Sequence, residues 1–447
     1  MHRHIHSATI VAVFGHDPRV RLVIAVAFAF ALGCGSTTTS LPTAPPPDET
    51  GFVDVPARRD ANGPARMFYV FRKSDIAGAP LAVFFNGGPG YATSFGLLPY
   101  GTSPMTIDPA TRSVVPNAAR WTSFANLLFI DERMSGFSYG LAKTGACAFD
   151  PVADASDFVR VILHVLDAHA ALTSAPVVLV GESYGGTRVT YALDLLLRSE
   201  TEASRVDDAL AGEIRAHFDL AKTTTAPSQF GRAVLLEPYL FGSAQIDAQQ
   251  ALITQDAYVG SPPPNSDPYD VRQPFGYTDG LGDSVANAFA AAGGSKQLLG
   301  ASFDAIALLG PADRSGAFRT AATVNDSAAM SALSASMTAS LGALGSDDAY
   351  VHGIATACAD VSPVFTSADG ALAELVAISP YVKMFVSRSR WDAAIYVPAI
   401  FDVLAKAGRQ EVIDAMHVVP YDDSGHMIEV TEPQKLHDDV AAWLRTN

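Results

Sequence analysis

The run Pro176-Val177-Val178-Leu179-Val180 passes through Gly181-Glu182-Ser183-Tyr184-Gly185 into an apolar pattern of helical period from Thr187 to Leu197. Four apolar residues in a row, three of them β-branched and bounded by a proline, indicate a short strand buried on both faces. Such strands belong to parallel sheets with helices packed on each side. A serine between two glycines at the strand-to-helix junction sits on a sharp turn, which exposes its Oγ while the small neighbours let other backbone pass close by. The competing reading is a Gly/Ser turn without chemistry.

The same alternation extends along the chain. From about Gly51, strands are expected at Met67 to Phe71, Leu81 to Phe85, Leu127 to Ile130, Val177 to Val180, Ala233 to Leu236, Val382 to Val386 and His417 to Pro420. Helices are expected at Ala153 to Ala171, Thr187 to Arg198, Ala399 to Ala407 and Pro433 to Leu444. Alternating elements of this kind imply a mostly parallel sheet covered on both faces. Between about Leu240 and Ser379 the rhythm stops, and Pro262-Pro263-Pro264, Gly293-Gly294 and an Ala/Ser-rich stretch suggest short helices and loops, as in an inserted cap. The expected division is therefore 51–239 with 380–447 as an α/β body and 240–379 as a mainly helical insertion.

With 447 residues and 49% hydrophobic content the chain can bury a large core. Its net charge of −16, without a Lys/Arg cluster that could track a phosphate backbone, argues against a nucleic-acid partner. At the N-terminus, Arg3, Arg19 and Arg21 precede an unbroken apolar run from Leu22 to Gly33 that ends at Cys34. About a dozen apolar residues fall short of the ~20 that span a bilayer but suit a signal-peptide core, so residues 1–33 are expected to direct export. Ala31-Leu32-Gly33-Cys34 is similar to a bacterial lipobox, which makes Cys34 a candidate lipidation site and places the protein in the cell envelope or periplasm on a membrane anchor. Residues 34–50, rich in Ser, Thr and Pro, would be a flexible tether. Cys147 and Cys358 then remain as a possible disulfide or as two separate thiols.

A serine hydroxyl becomes a useful nucleophile when an imidazole takes its proton and a carboxylate orients that imidazole. Late in the chain, Asp392 follows the apolar Met384-Phe385-Val386, and His426 follows Val418-Val419-Pro420 and precedes the last helix. The order Ser183, Asp392, His426 fits a site built at strand ends. His164, His169, His217, His352, His417 and His437 compete for the base, and Asp422 and Asp423 for the acid. Phe84-Phe85-Asn86-Gly87-Gly88-Pro89-Gly90 lies after an early strand, where a glycine-rich loop can aim a backbone N–H at a developing oxyanion; the amide of Tyr184 would be a second donor. No metal or cofactor is called for.

Together these segments resemble the serine carboxypeptidase family in its bacterial form. Asn86-Gly-Gly-Pro-Gly90, Leu128-Phe-Ile-Asp131 with Ser135-Gly-Phe-Ser-Tyr139, Gly181-Glu-Ser-Tyr-Gly-Gly186, Trp391-Asp392 and Ser424-Gly-His-Met427 occur in family order. The resemblance implies an α/β-hydrolase fold with a mostly parallel central sheet and an inserted cap. It also implies Ser183, Asp392 and His426 as the triad and the Gly88 and Tyr184 amides as the oxyanion hole. By the same resemblance Asn86 and Glu182 would hold a peptide's C-terminal carboxylate, Glu182 sharing a proton with a second glutamate. The chain departs from the pattern at Tyr91-Ala-Thr-Ser94, at Pro99-Tyr100-Gly101-Thr102 where that second glutamate would stand, at Arg133-Met134, and at Glu237-Pro238-Tyr239 in place of Gly-Asn-Gly. Three functions follow: a carboxypeptidase acting on peptides through an acyl-enzyme, an esterase or acyltransferase using the same triad, or a lipid-anchored binding protein on a retired scaffold.

Overall fold

The computed structural model describes residues 49–58, 63–89, 93, 98–108, 113–133, 138–141, 149–222, 224–254, 370–392 and 394–446. The N-terminal apolar run, all three cysteines and residues 255–369 lie outside these. The strands are β1 (Glu49–Val55), β2 (Ala65–Arg72), β3 (Leu81–Phe85), β4 (Met105–Asp108), β5 (Ser113–Pro116), β6 (Asn126–Ile130), β7 (Tyr139–Gly140), β8 (Val177–Glu182), β9 (Arg232–Leu236), β10 (Lys383–Ser389) and β11 (Met416–Tyr421). The principal helices are α1 (Leu98–Thr102), α2 (Pro151–Ala168), α3 (Tyr184–Leu197), α4 (Asp208–Ala221), α5 (Gly242–Thr254), α6 (Leu372–Ile378), α7 (Pro398–Lys406), α8 (Ile428–Thr431) and α9 (Pro433–Leu444).

The main sheet runs β1-β2-β6-β3-β8-β9-β10-β11, with β7 on β2, and β4 and β5 form a separate hairpin. β6, β3, β8, β9, β10 and β11 are parallel, while β2 pairs antiparallel with β1, β6 and β7. This is the α/β-hydrolase architecture, a mostly parallel sheet flanked by helices. From β3 the chain crosses outward to β6 in one direction and later inward to β8, then proceeds the other way through β9, β10 and β11. The reversal falls between β3 and β8, and in open parallel sheets the crevice at that switch point, beyond the carboxyl ends of the strands, is where ligands bind.

Burial explains why the central strands are unbroken apolar runs. Leu81, Val83, Phe85, Val177 and Leu179 face a core formed with α2 and α3, whereas Ala82, Phe84, Val178 and Val180 face a second core with Trp121, Leu436, Val440 and Trp443. Alternate residues of one strand thus fill opposite layers, and each layer demands an apolar side chain. β1 is the antiparallel edge, partly exposed along its length, and it already includes Glu49 and Thr50 of the stretch read as a tether.

The segment 240–379 leaves and rejoins the body at one place. Ala371 N–H donates to Leu240 O at 2.9 Å. Leu240, Phe241, Leu375 and Ile378 lie in the larger core, so the first and last parts of that segment pack on the sheet body.

Candidate active site

The turn from β8 into α3 carries Ser183 at φ 56° and ψ −125°, a conformation that non-glycine residues avoid and that costs about 1–3 kcal/mol. Main-chain bonds hold it there: Ser183 N–H donates to Leu236 O (2.9 Å), and Ser183 O accepts from Gly186 N–H (2.9 Å) and Tyr239 N–H (2.9 Å). Only glycine fits at 185, because a Cβ there would lie 2.2 Å from Phe85 O. Ser183 is half-buried between fully buried Glu182 and Tyr184.

The loop after β3 reaches the same point. A Cβ on Gly87 would lie 2.6 Å from Ser183 Cβ and 3.1 Å from its Oγ, so the Asn86-Gly87-Gly88 backbone passes directly against the serine. Gly88 has φ 111°. Asn86 is buried; its Oδ1 accepts from Gly87 N–H (2.9 Å), its N–H donates to Thr93 Oγ1 (3.2 Å), and its carbonyl accepts from Arg188 Nη1 (2.8 Å).

Arg188 anchors that loop from a buried ion cluster. It stands on α3 with no exposed surface, donates through Nε to Asp154 (2.6 Å), and forms an ion pair with Glu132, whose Oε2 lies 2.8 Å from Nη2. Arg58 lies 3.6 Å from Asp154 and 3.4 Å from Asp157, and Arg133 lies 2.8 Å from Asp157. Of these residues only Arg133 stands out in the sequence, as an interruption of the segment after Asp131. Their only signal was a charge on the inward face of an otherwise apolar helix, as at Asp154 in α2 and Arg188 in α3.

The structure brings Asp392 and His426 together. His426 Nδ1 and Asp392 Oδ2 are 2.7 Å apart, and both side chains are almost fully buried. The other oxygen, Asp392 Oδ1, accepts from the N–H groups of Ala394 (2.6 Å) and Ile395 (3.1 Å), and Gln249 Nε2 on α5 donates to Asp392 O (2.5 Å). The acid and histidine loops are zipped together by Trp391 N–H to Ser424 O (3.0 Å), Arg390 N–H to Tyr421 O (3.0 Å) and Trp391 Nε1 to Asp422 O (2.8 Å). Burial opposes a charge on the His426 ring, but the charge and hydrogen bond of Asp392, reinforced by Glu182 and Glu237, raise its proton affinity above that of an ordinary histidine. An imidazolium formed here is therefore well stabilised.

The competing groups sit elsewhere. His217 is buried between Asp167 (2.6 Å) and Gln229 (2.9 Å), His437 bonds Ser123 (2.7 Å) and Asp438 (2.8 Å), and His164, His169 and His417 lie against Tyr69, Phe71 and Phe385. Asp423 N–H donates to Glu432 (3.2 Å), which places it in the histidine loop as a shaping residue. His352 lies outside the described residues.

Residues 41–213 match the family model described as serine carboxypeptidase. The chain is 27% identical over 220 residues to a pheromone-processing carboxypeptidase of Pyricularia oryzae, covering 47% of this chain and 33% of the relative. It is 30% identical over 145 residues to serine carboxypeptidase-like 9 of Arabidopsis thaliana, covering 31% and 32%. It therefore spans about a third of the length of these curated relatives. Among solved structures, a prohormone-processing carboxypeptidase from Saccharomyces cerevisiae aligns over 88% of this chain and 91% of its own, with a TM-score of 0.50 at 13% identity, a likeness of fold.

Proposed function

We propose that this chain, which is similar to serine carboxypeptidases over residues 41–213, is an exported serine hydrolase that releases C-terminal residues from peptides through an acyl-enzyme. The observation that carries the reading is the buried 2.7 Å pair of His426 and Asp392, which follow the carboxyl ends of β11 and β10 in the same sheet whose β8 leads into Ser183 on its strained turn. In this reading His426 Nε2 takes the Ser183 proton as Oγ attacks the scissile carbonyl, and Asp392 stabilises the imidazolium at Nδ1. His426 returns the proton to the departing amine. Water then enters, again deprotonated by His426, and hydrolyses the ester.

The amides of Gly88 and Tyr184 would bind the oxyanion in each tetrahedral intermediate. The close approach of the Gly87 backbone to Ser183 supports that role, since it sets the loop against the nucleophile. Asn86 and buried Glu182 would hold the substrate's terminal carboxylate. Glu182 immediately precedes the nucleophile, and its charge favours the protonated His426 ring. The apolar run 22–33 followed by Cys34 supports export and a lipid anchor, and residues 240–379 would contribute to the side-chain pocket.

A fluorophosphonate probe together with peptides bearing free or amidated C-termini tests this. Labelling that disappears in Ser183→Ala, and turnover confined to free C-termini, are expected. Absence of labelling in the wild type refutes the hydrolase reading. Labelling with equal turnover of amidated peptides, or turnover of esters alone, refutes the carboxypeptidase assignment.

A further inference from the structure

Glu237 lies in the turn after β9, where the sequence reading noted only a departure from Gly-Asn-Gly. It has no exposed surface and adopts φ 41°. Its N–H donates to Ser387 Oγ (2.8 Å), and its Oε1 accepts from that same hydroxyl (2.9 Å) and from Ser389 N–H (2.8 Å). Ser387 and Ser389 are the last turns of β10, three to five residues before Asp392. The other side of the turn is joined to the nucleophile, because Leu236 O accepts from Ser183 N–H and Tyr239 N–H donates to Ser183 O, each at 2.9 Å. One short turn thus links the serine elbow to the strand end from which the acid loop departs.

We propose that Glu237 is a positioning residue of the hydrolytic site, bracing the Asp392 loop through Ser387 and Ser389 and standing as a second buried acid beside the Asp392–His426 pair. The inference rests on the hydrolase reading above. Glu237 interacts electrostatically with both Asp392 and His426, and with Tyr421. Burial, then the neighbouring Asp392 charge, push its carboxyl up to about 8, with His426, Ser387 and Ser389 pulling the other way. Its Oε2 is buried and makes no hydrogen bond among the described residues. At neutral pH the neutral acid leaves Asp392 as the charge that orients the ring. An ionised Glu237 adds a third carboxylate to Asp392 and Glu182 around His426, so the ring keeps its proton to a higher pH and the neutral base that Ser183 needs forms later as pH rises.

Two variants separate bracing from charge. Glu237→Gln keeps an oxygen for Ser387 and Ser389 and supplies an N–H in place of the neutral acid's O–H, yet cannot ionise. In its kcat profile, the rise that accompanies loss of the His426 proton is expected at least about half a pH unit lower than in the wild type. Glu237→Ala removes the brace and is expected to lower kcat about 10- to 100-fold with KM within about twofold, an effect that Gln largely reverses. Circular dichroism and urea midpoints establish that each variant is folded, and the Gln variant alone decides the case if the Ala variant is not. Superimposable pH profiles for wild type and Glu237→Gln overturn the inference alone, provided Ser183 is labelled in both. Failure of the wild type to label overturns the hydrolase reading and this inference with it.

Discussion

Replacing Gly87 by alanine places a methyl group 2.6 Å from Ser183 Cβ, 3.1 Å from Glu182 O and 3.1 Å from Ser183 Oγ. Carbon atoms in contact sit at about 3.5–4.0 Å, so the two backbones must separate by about 1 Å. No rotamer relieves the clash, because a Cβ moves only with its backbone. Ser183 is tied to Leu236, Gly186 and Tyr239 through its main chain, so the displacement falls on the loop that carries Gly88. Displacement of the loop's oxyanion donor by that distance costs about 10²–10³-fold in kcat, a rise in the barrier of roughly 3–4 kcal/mol. Rates of fluorophosphonate labelling and kcat, measured beside a urea melt, check this. Gly78→Ala is the control: at φ 73° with no atom within 4 Å, it strains the backbone by about 1 kcal/mol and leaves labelling unaltered. A Gly87→Ala enzyme that labels within twofold of wild type refutes the close approach of loop and nucleophile.

Arg188→Met removes the guanidinium that pairs with buried Glu132 and Asp154 and donates to the Asn86 carbonyl, so unfolding free energy should fall by about 3–5 kcal/mol; a loss below about 1 kcal/mol in urea titration contradicts the ion cluster. Glu237 also makes stability depend on pH. Its folded value of about 8 against 4.5 for the free group means that between these limits the unfolded chain binds fewer protons, so this contribution declines as pH rises from 4.5 to about 8 and is constant above. Relative to wild type, Glu237→Gln should gain stability across that window by up to ~5 kcal/mol, and a difference that does not vary with pH excludes a buried neutral acid.

The parallel strands were legible because both faces of each are covered, which turns Val177–Val180 and Leu81–Phe85 into continuous apolar runs. The expected positions match, with β10 running three residues past its expected end at Val386. Missed were β1 and the β4–β5 hairpin, short antiparallel pieces where half-exposed residues give no strong period. Asp392 and His426 could be read from chain order, since each follows a core strand. Glu237 could not, because its meaning depends on Ser387 and Ser389, 150 and 152 residues away. The same holds for Arg188, whose partners Glu132 and Asp154 lie on a different loop and helix. Spacing along a chain reports a local period; it does not report which charges will meet once the layers close.

The hydrogen bond between Ala371 and Leu240 has a modular consequence. That bond holds the two ends of the intervening segment together on the sheet body, and a Cβ on Gly370 would sit 2.0 Å from Leu240 O there. The entropy of closing such a loop grows only logarithmically, about 0.6 kcal/mol for each doubling of length. With both ends held, a change in the number of residues between them alters closure entropy only by that small amount, provided the neck and the contacts of α5 are kept. Leu240 and Gly370 thus mark the two points between which the intervening segment could be exchanged while the sheet body is kept.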